Sequence, residues 1–242
     1  MNETVTLRAM PGYREYAPPP QLRDALACFW TRIVPPEGTQ VRVLPDACSD
    51  LIWGEGQGAW IAGPDTGAWL SSAMPGSVLV GARFLPGAGG PALAHPLSDL
   101  LNSRAPLEEL MPGLHRRLAA DLDPYDALRR LADSAARLVL ARPPDRAVRQ
   151  AARLLADPPT RVDRLAGGLG LSERQLRRRF HAAVGYGPKT LQRILRFRRF
   201  LAQGSDVELA QAAFDAGYAD QAHLTRECVR LAGVTPARLS ER

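Results

Sequence analysis

The stretch Leu165-Ala166-Gly167-Gly168-Leu169-Gly170-Leu171-Ser172-Glu173-Arg174-Gln175-Leu176-Arg177-Arg178-Arg179-Phe180 decides how the carboxy-terminal part of this chain folds. Ala166 is small where a second helix must come close to the first. Gly170 can take the positive φ of a tight turn, and Leu171 plugs the space between two helices that cross steeply. Ser172 then caps the next helix, with Gln175 three positions on as its capping-box partner. Leu176 and Phe180, at i and i+4, share the inward face, so Glu173, Arg174, Arg177 and Arg178 project outward near the start of the helix.

The same signals return downstream. Ala166, Gly170 and Leu171 recur 47 positions later as Ala213, Gly217 and Tyr218, while Leu176, Arg178 and Gly185 recur 48 positions later as Leu224, Arg226 and Gly233. One residue inserted near the turn reconciles the two offsets. In the second copy Ala213 is the crossing residue, Gly217 the turn, Tyr218 the plug and Asp220 the cap. Leu224 and Cys228 face inward, leaving Gln221, Ala222, His223 and Arg226 exposed. Between the copies, Pro188 after Gly187 starts a helix predicted to reach Gln203, about 24 Å long at 1.5 Å per residue. Successive major-groove faces of duplex DNA lie ~34 Å apart, so such a spacer suits one chain reading two neighbouring groove segments.

Charge supports an anionic partner for this half. The net charge is +6, but residues 145–242 hold 18 Arg or Lys against 10 Asp or Glu, which leaves residues 1–144 at −2. Position matters more than abundance, because all but one of the 31 basic residues are Arg, as a genomic composition bias would also produce. Between Arg174 and Arg199 there are nine basic residues and no acidic one. Two copies in register, each with outward polar readers on a basic surface, point to double-stranded DNA. A purely structural helical domain is the competing reading.

The region before Pro96 reads differently. Short β-type runs, Val41–Leu44, Leu51–Trp53, Ala59–Ala62 and Ser77–Val80, are separated by Gly and Pro turn signals, which predicts a mainly antiparallel sheet or barrel. Pro19–Phe29 is expected to add a helix. From Pro96 to Ala141 leucines recur at helical spacing, so helices packed on the sheet or on a second subunit are expected. Arg142-Pro143-Pro144-Asp145 breaks that pattern. The expected class is therefore α+β: residues 1–141 as a β domain with packed helices for effector sensing or dimerisation, 142–145 as linker, and 146–242 as an all-α DNA-binding domain of two helix-turn-helix units joined by a helix.

Over Arg146–Leu239 the sequence resembles the AraC/XylS family of transcription regulators. Leu165-Ala166-(x3)-Gly170-Leu171-Ser172-(x3)-Leu176-(x)-Arg178-(x)-Phe180 matches its first unit. Ala213-(x3)-Gly217-Tyr218-(x)-Asp220-Gln221-(x)-His223-Leu224-(x)-Arg226, followed by Gly233-(x)-Thr235-Pro236, matches its second. The resemblance implies base-edge contacts from Arg174, Arg177 and Arg178 in the first unit and from Gln221, Ala222, His223 and Arg226 in the second. Ala222 is limited to methyl contact with thymine. Phosphate contacts are expected from Ser172, Arg179, Lys189, Arg193 and Arg196. Leu224, Cys228 and Leu239-Ser240 depart from the family pattern, which has aromatics at the first two positions and often an aromatic-Arg pair at the last two. The runs Cys28–Trp30, Arg42–Trp53 and Gly81–Gly87 resemble an amino-terminal domain type found in such regulators, which implies no specific effector.

In that first domain Trp30, Trp53, Trp60 and Trp69 are candidate walls of a small-molecule pocket, with core packing as the alternative. Arg83 is a candidate anion clamp. Asp46 and Asp50 are candidate cation ligands or turn caps, and structural pairing of all three is the alternative. The lone His95 has no second histidine at metal-ligand spacing, so neither metal nor cofactor is expected. There is no Gly-rich phosphate loop and no nucleophile motif with partners, so an enzyme is not expected. A thiol sensor acting through Cys48 or Cys28, and a DNA-binding protein without effector, remain as alternatives. No apolar run reaches the roughly 18 residues of a membrane span. Met1-Asn2-Glu3-Thr4 has no signal-peptide character, so the cytoplasm is the expected location. Helices in 96–141 are compatible with a homodimer, and RNA polymerase becomes a partner if the regulator activates.

Overall fold

The computed structural model describes residues 12–38, 40–156, 160–203 and 207–240. The turn signals at Asp157-Pro158-Pro159 and Gly204-Ser205-Asp206, and the start at Met1–Thr4, lie outside the described residues. The strands are β1 (Tyr13–Tyr16), β2 (Leu26–Ile33), β3 (Gln40–Val43), β4 (Ser49–Gly54), β5 (Gly58–Ala62), β6 (Trp69–Ser72), β7 (Val78–Phe84) and β8 (Arg104–Pro106). Six of them form one sheet in the order β1-β2-β7-β4-β5-β8, and β3 pairs with β6 in a second, two-stranded sheet. Every pairing is antiparallel. The helices are α1 (Gly89–Leu93), α2 (Leu107–Leu110), α3 (Pro112–His115), α4 (Pro124–Ala141), α5 (Arg146–Ala156), α6 (Val162–Gly168), α7 (Glu173–Val184), α8 (Pro188–Leu201), α9 (Leu209–Ala216), α10 (Gln221–Ala232) and α11 (Pro236–Ser240). The α+β class expected from the sequence is the one observed: an antiparallel β region followed by a helical one.

Alternation along the strands divides the large sheet into two faces. On β4, Leu51 and Trp53 point into a core shared with Phe29, Val80, Ala82 and Phe84, while Asp50 and Ile52 point the other way. Helix α4 covers the first face with an apolar stripe of Ala127, Leu131, Ala135 and Val139, and Asp123 caps it by accepting from the amides of Tyr125 and Asp126. Against the expectation of a helix at Pro19–Phe29, only a 3₁₀ turn forms at Pro20–Leu22, and the chain enters β2 at Leu26. The aromatic run Phe29-Trp30 suits a pleated strand, and pairing partners stand on both sides in β1 and β7, which outweighs the local preference. The stretch expected to be helical from Pro96 likewise contains β8, which ends at Pro106 and completes the sheet beside β5.

The break at residues 142–145 separates α4 from α5, and Asp145 caps α5 by accepting from the amides of Ala147 and Val148 at 2.9 and 3.2 Å. Beyond it a second core forms from Val148, Leu165, Leu176, Phe180, Leu191, Ile194, Phe197, Leu224 and Leu231. Leu44 and Ala47 of the β region belong to this second core. The two regions also meet where α1 lies on α7: Gly90 packs so closely that a side chain there would overlap the Ala182 carbonyl.

Candidate nucleic-acid interface and effector cavity

The repeat in the sequence is a repeat in geometry. In the first unit Gly170 has φ +66°, and in the second Gly217 has φ +86°. These left-handed turns let the Leu171 amide donate to the Ala166 carbonyl and the Tyr218 amide to the Ala213 carbonyl, both at 2.9 Å. Ser172 and Gln175 form the capping box: the Gln175 amide donates to Ser172 Oγ at 3.2 Å, and the Ser172 amide donates to Gln175 Oε1 at 2.9 Å. Asp220 Oδ1 accepts from the His223 amide at 2.6 Å and caps α10. Leu224 and Cys228 fill the inward face of α10, and α11 adds Leu239 to the same core, so aliphatic and thiol side chains occupy the aromatic positions of the family pattern.

These caps fix which side chains leave the surface. Arg174, Arg177, Arg178, Gln221, Ala222 and Arg226 are exposed. Among the described residues no carboxylate pairs with Arg174, Arg177, Arg178 or Arg226. His223 is half-buried, its ring edge-on to Tyr218 at 5.2 Å, and its Nδ1 accepts from the Ala219 amide at 3.4 Å.

The residues expected at phosphates divide. Lys189 is exposed, and Ser172 is exposed with its hydroxyl engaged in the cap. Arg179 faces Asp145 at 3.3 Å. On the linker helix α8, Arg193 makes a paired contact with Glu227 of α10, Nε to Oε2 at 2.9 Å and Nη2 to Oε1 at 3.0 Å. Arg196 lies over the Tyr218 ring at 5.5 Å, and Arg199 donates to the Ala216 carbonyl at 2.9 Å. Much of the basic face of α8 thus clasps the second unit.

The second face of the large sheet lines a cavity of about 610 Å³, closed on one side by the β3–β6 pair. Trp30, Trp60, Trp69 and Arg83 line it. Trp53 does not: the strand alternation that places Asp50 and Ile52 in the cavity turns Trp53 into the opposite core, where its Nε1 donates to the Ala119 carbonyl at 2.8 Å. Asp50 Oδ1 accepts from Trp30 Nε1 at 2.7 Å and from Arg83 Nε at 3.2 Å, and Asp46 Oδ2 lies 3.4 Å from the same nitrogen. Arg83 therefore pairs with both Asp46 and Asp50. Asp65 and Arg104, not singled out in the sequence, form a second pair at 2.7 and 3.0 Å, with the guanidinium 4.6 Å above the Trp69 ring. No motif marks Arg104 as a cavity residue, because its short strand interrupts a stretch of helical leucine spacing.

Trp30 lies across Gly81 of β7, its partner in register, where any side chain would overlap the indole. Gly81→Ala is expected to lower stability by about 1–3 kcal/mol through this overpacking, read as a lower urea midpoint. An unchanged midpoint would mean that the indole has room to move.

Cys28, Cys48 and Cys228 are free and buried. Burial pushes the Cys28 and Cys228 thiols up to about 12 and holds Cys48 well above its ordinary value, with the Asp46 carboxylate adding to the effect at Cys48. A raised pKa withholds the thiolate, the reactive form, at neutral pH. Titration of the native protein with a disulfide reagent at neutral pH is expected to modify these thiols only after denaturant is added. Fast reaction of Cys48 in the native state would support the thiol-sensor reading.

Among the described residues no helix is long and apolar enough to cross a membrane, and no group of three or more His, Cys, Asp and Glu is placed to hold a metal ion.

A search of curated proteins gives no match. Among solved structures the chain is similar to ToxT from Vibrio cholerae. One crystal form is 11% identical over 86% of this chain and 96% of that one, with a TM-score of 0.43. ToxT with an unsaturated fatty acid bound is 12% identical over 93% and 92%, with a TM-score of 0.41. Values of this size mark a loose likeness that transfers neither ligand nor operator. Residues 165–242 match the family described as a helix-turn-helix domain, and residues 14–106 match a domain of unknown function, DUF6597. The two matches thus coincide with the two parts of the structure, the helix-turn-helix family with the paired helical units and DUF6597 with the sheet and its cavity.

Proposed function

We propose that this chain is a sequence-specific DNA-binding transcription regulator whose amino-terminal cavity takes a small-molecule effector. The observation that carries the DNA reading is the contrast among the arginines. Those of α8 are engaged with the protein, whereas Arg174, Arg177, Arg178 and Arg226 leave the two capped helices without a carboxylate partner among the described residues. Arginine matches the paired acceptors of guanine, and Gln221 matches adenine, so both helices carry base-reading chemistry at their amino-terminal ends. Lys189 and Ser172 supply phosphate contacts, and Arg179 joins them by exchanging Asp145 for a phosphate.

The effector reading rests on the cavity. Trp30, Trp60 and Trp69 offer flat apolar walls, and two carboxylate–guanidinium pairs offer donors and acceptors at fixed points. That lining suits a molecule with a flat apolar part and a few hydrogen-bonding groups. A homodimer and, for an activator, contact with RNA polymerase are part of the same proposal.

Two experiments test the reading on the full-length chain. Binding to a selected duplex at near-physiological salt should exceed binding to a scrambled duplex by about 10³-fold or more. A ratio near one would instead leave an effector-independent, structural DNA-binding protein. A screen of small aromatic and amphipathic compounds should find one that changes tryptophan fluorescence and whose effect is lost in Trp60→Ala; a compound that acts equally on that variant does not occupy the cavity.

A further inference from the structure

Several contacts between the two regions come from residues remote from the cavity. Gly90 lies on α7, the Pro86 carbonyl accepts from Arg149 at 3.1 Å, and Asp24 pairs with Arg153 at 2.7 Å. Residues 42–48 and 63–69 each line the cavity and pack on the helical core, through Leu44, Ala47 and Ala68, and residues 42–48 also hydrogen-bond to α8 and α10. Val43, Leu44, Asp46 and Cys48 line the cavity. Leu44 and Ala47 are buried in the helical core with Phe180, Phe197 and Leu224. Arg42, one position along β3 from the cavity-facing Val43, points away from it, and its Nη1 donates to the Ala232 carbonyl at the end of α10 at 3.0 Å. The Asp46 carbonyl accepts from Arg198 of α8 at 3.2 Å, while the side chain of the same residue faces Arg83 in the cavity.

The segment has little slack. Ala47 holds a left-handed backbone, φ 70°, uncommon for a residue with a side chain, and the Cys48 amide donates to Asp46 Oδ1 at 2.9 Å across the turn. A displacement of Asp46 or Val43 by an occupant of the cavity therefore has to move the Arg198 and Arg42 contacts too, because the backbone between them is short and packed on both sides.

We propose that residues 42–48 transmit the state of the cavity to the helix-turn-helix pair, through Asp46 to α8 and through Arg42 to α10. The proposal rests on the reading of the cavity as an effector site. The two hydrogen bonds carry the coupling, and the packing of Leu44 and Ala47 holds the segment that makes them: an occupant that favours one position of the segment favours one setting of the linker helix and of the second recognition helix.

The test needs no natural ligand. Ser71 lines the cavity from β6, opposite Val41 in register. In the full-length chain, Ser71→Cys is labelled with monobromobimane, a compact aromatic probe, and amide hydrogen exchange is compared before and after labelling. The unsubstituted chain treated in the same way controls for the buried cysteines. Labelling should change exchange in α8 and in the last turn of α10 by about fivefold or more, the lower end of coupling between linked sites. In the Arg42→Ala/Arg198→Ala background the change should be confined to β3 and β6. Response in β3 and β6 with none in α8 and α10 of the parent would overturn the proposal, and so would a response in those helices that survives the double substitution. Should the double variant lose its folded circular dichroism spectrum, Arg42→Gln alone carries the same test for α10. Because the probe stands in for a ligand, failure of every natural compound to bind would sink the effector reading and leave this result intact.

Discussion

Phe180→Ala is expected to cost about 3–5 kcal/mol of folding stability, the range for removing a fully buried aromatic. Phe180 is 0% exposed and lies on the inward face of α7 in one cluster with Leu176, Leu191, Ile194 and Phe197. It therefore anchors α7 in the core of the helical region, where α7 packs on α5 and α6, and the cavity left by alanine lies in that core. Urea unfolding followed by circular dichroism, which reports the helices, should show a lowered midpoint. All four tryptophans lie before residue 70, so their fluorescence reports the β region separately. A loss of about 1 kcal/mol or less, as at a surface site, would mean that α7 is not anchored as described.

Arg193→Ala distinguishes two roles for one residue. The sequence places Arg193 on a basic helix where phosphate contact is expected. The structure gives it a paired contact with Glu227, with side-chain exposures of 25% and 12% for Arg193 and Glu227. Breaking a charge-assisted, largely buried pair strands the remaining carboxylate, so Arg193→Ala should lower stability by about 2–3 kcal/mol. Glu227→Ala should cost less when added to Arg193→Ala than when made alone, since the partner is already gone. If Arg193 served the duplex instead, its removal would weaken binding to every sequence alike and reduce the salt dependence, with stability unchanged. Thermal unfolding and DNA titration of the same samples separate the two.

How much of this was legible in the sequence depended on the range of the interactions. The helix-turn-helix units were legible because their determinants are local: Ala166, Gly170, Leu171, Ser172 and Gln175 sit within one turn and its caps, and their geometry follows from neighbours a few residues away. The arginines of α8 were not legible, because composition cannot show whether an Arg meets phosphate or protein. Arg193 and Arg199 find partners 34 and 17 residues further along the chain.

The β region shows the same limit. Trp30, Trp60 and Trp69 reach the cavity, but the run Leu51-Ile52-Trp53 is apolar on both faces, so its phase could not be read without knowing that α4 covers one side. Arg104 was hidden because three strand residues interrupt a stretch of helical leucine spacing. The ion pairing of Arg83 with Asp46 and Asp50 joins residues 33 and more positions apart, and only the sheet register brings them together.

The most direct test of the double-reader account is selection of preferred duplexes by the full-length chain from a random library at near-physiological salt, repeated with Arg178→Ala and with Arg226→Ala. The expected result is two enriched elements about one helical turn apart. Each substitution should blur one element and leave the other sharp, with a loss of about 1–3 kcal/mol at the preferred site. Equal weakening on all sequences, or blurring of both elements by either substitution, would contradict the assignment of one recognition helix to each element.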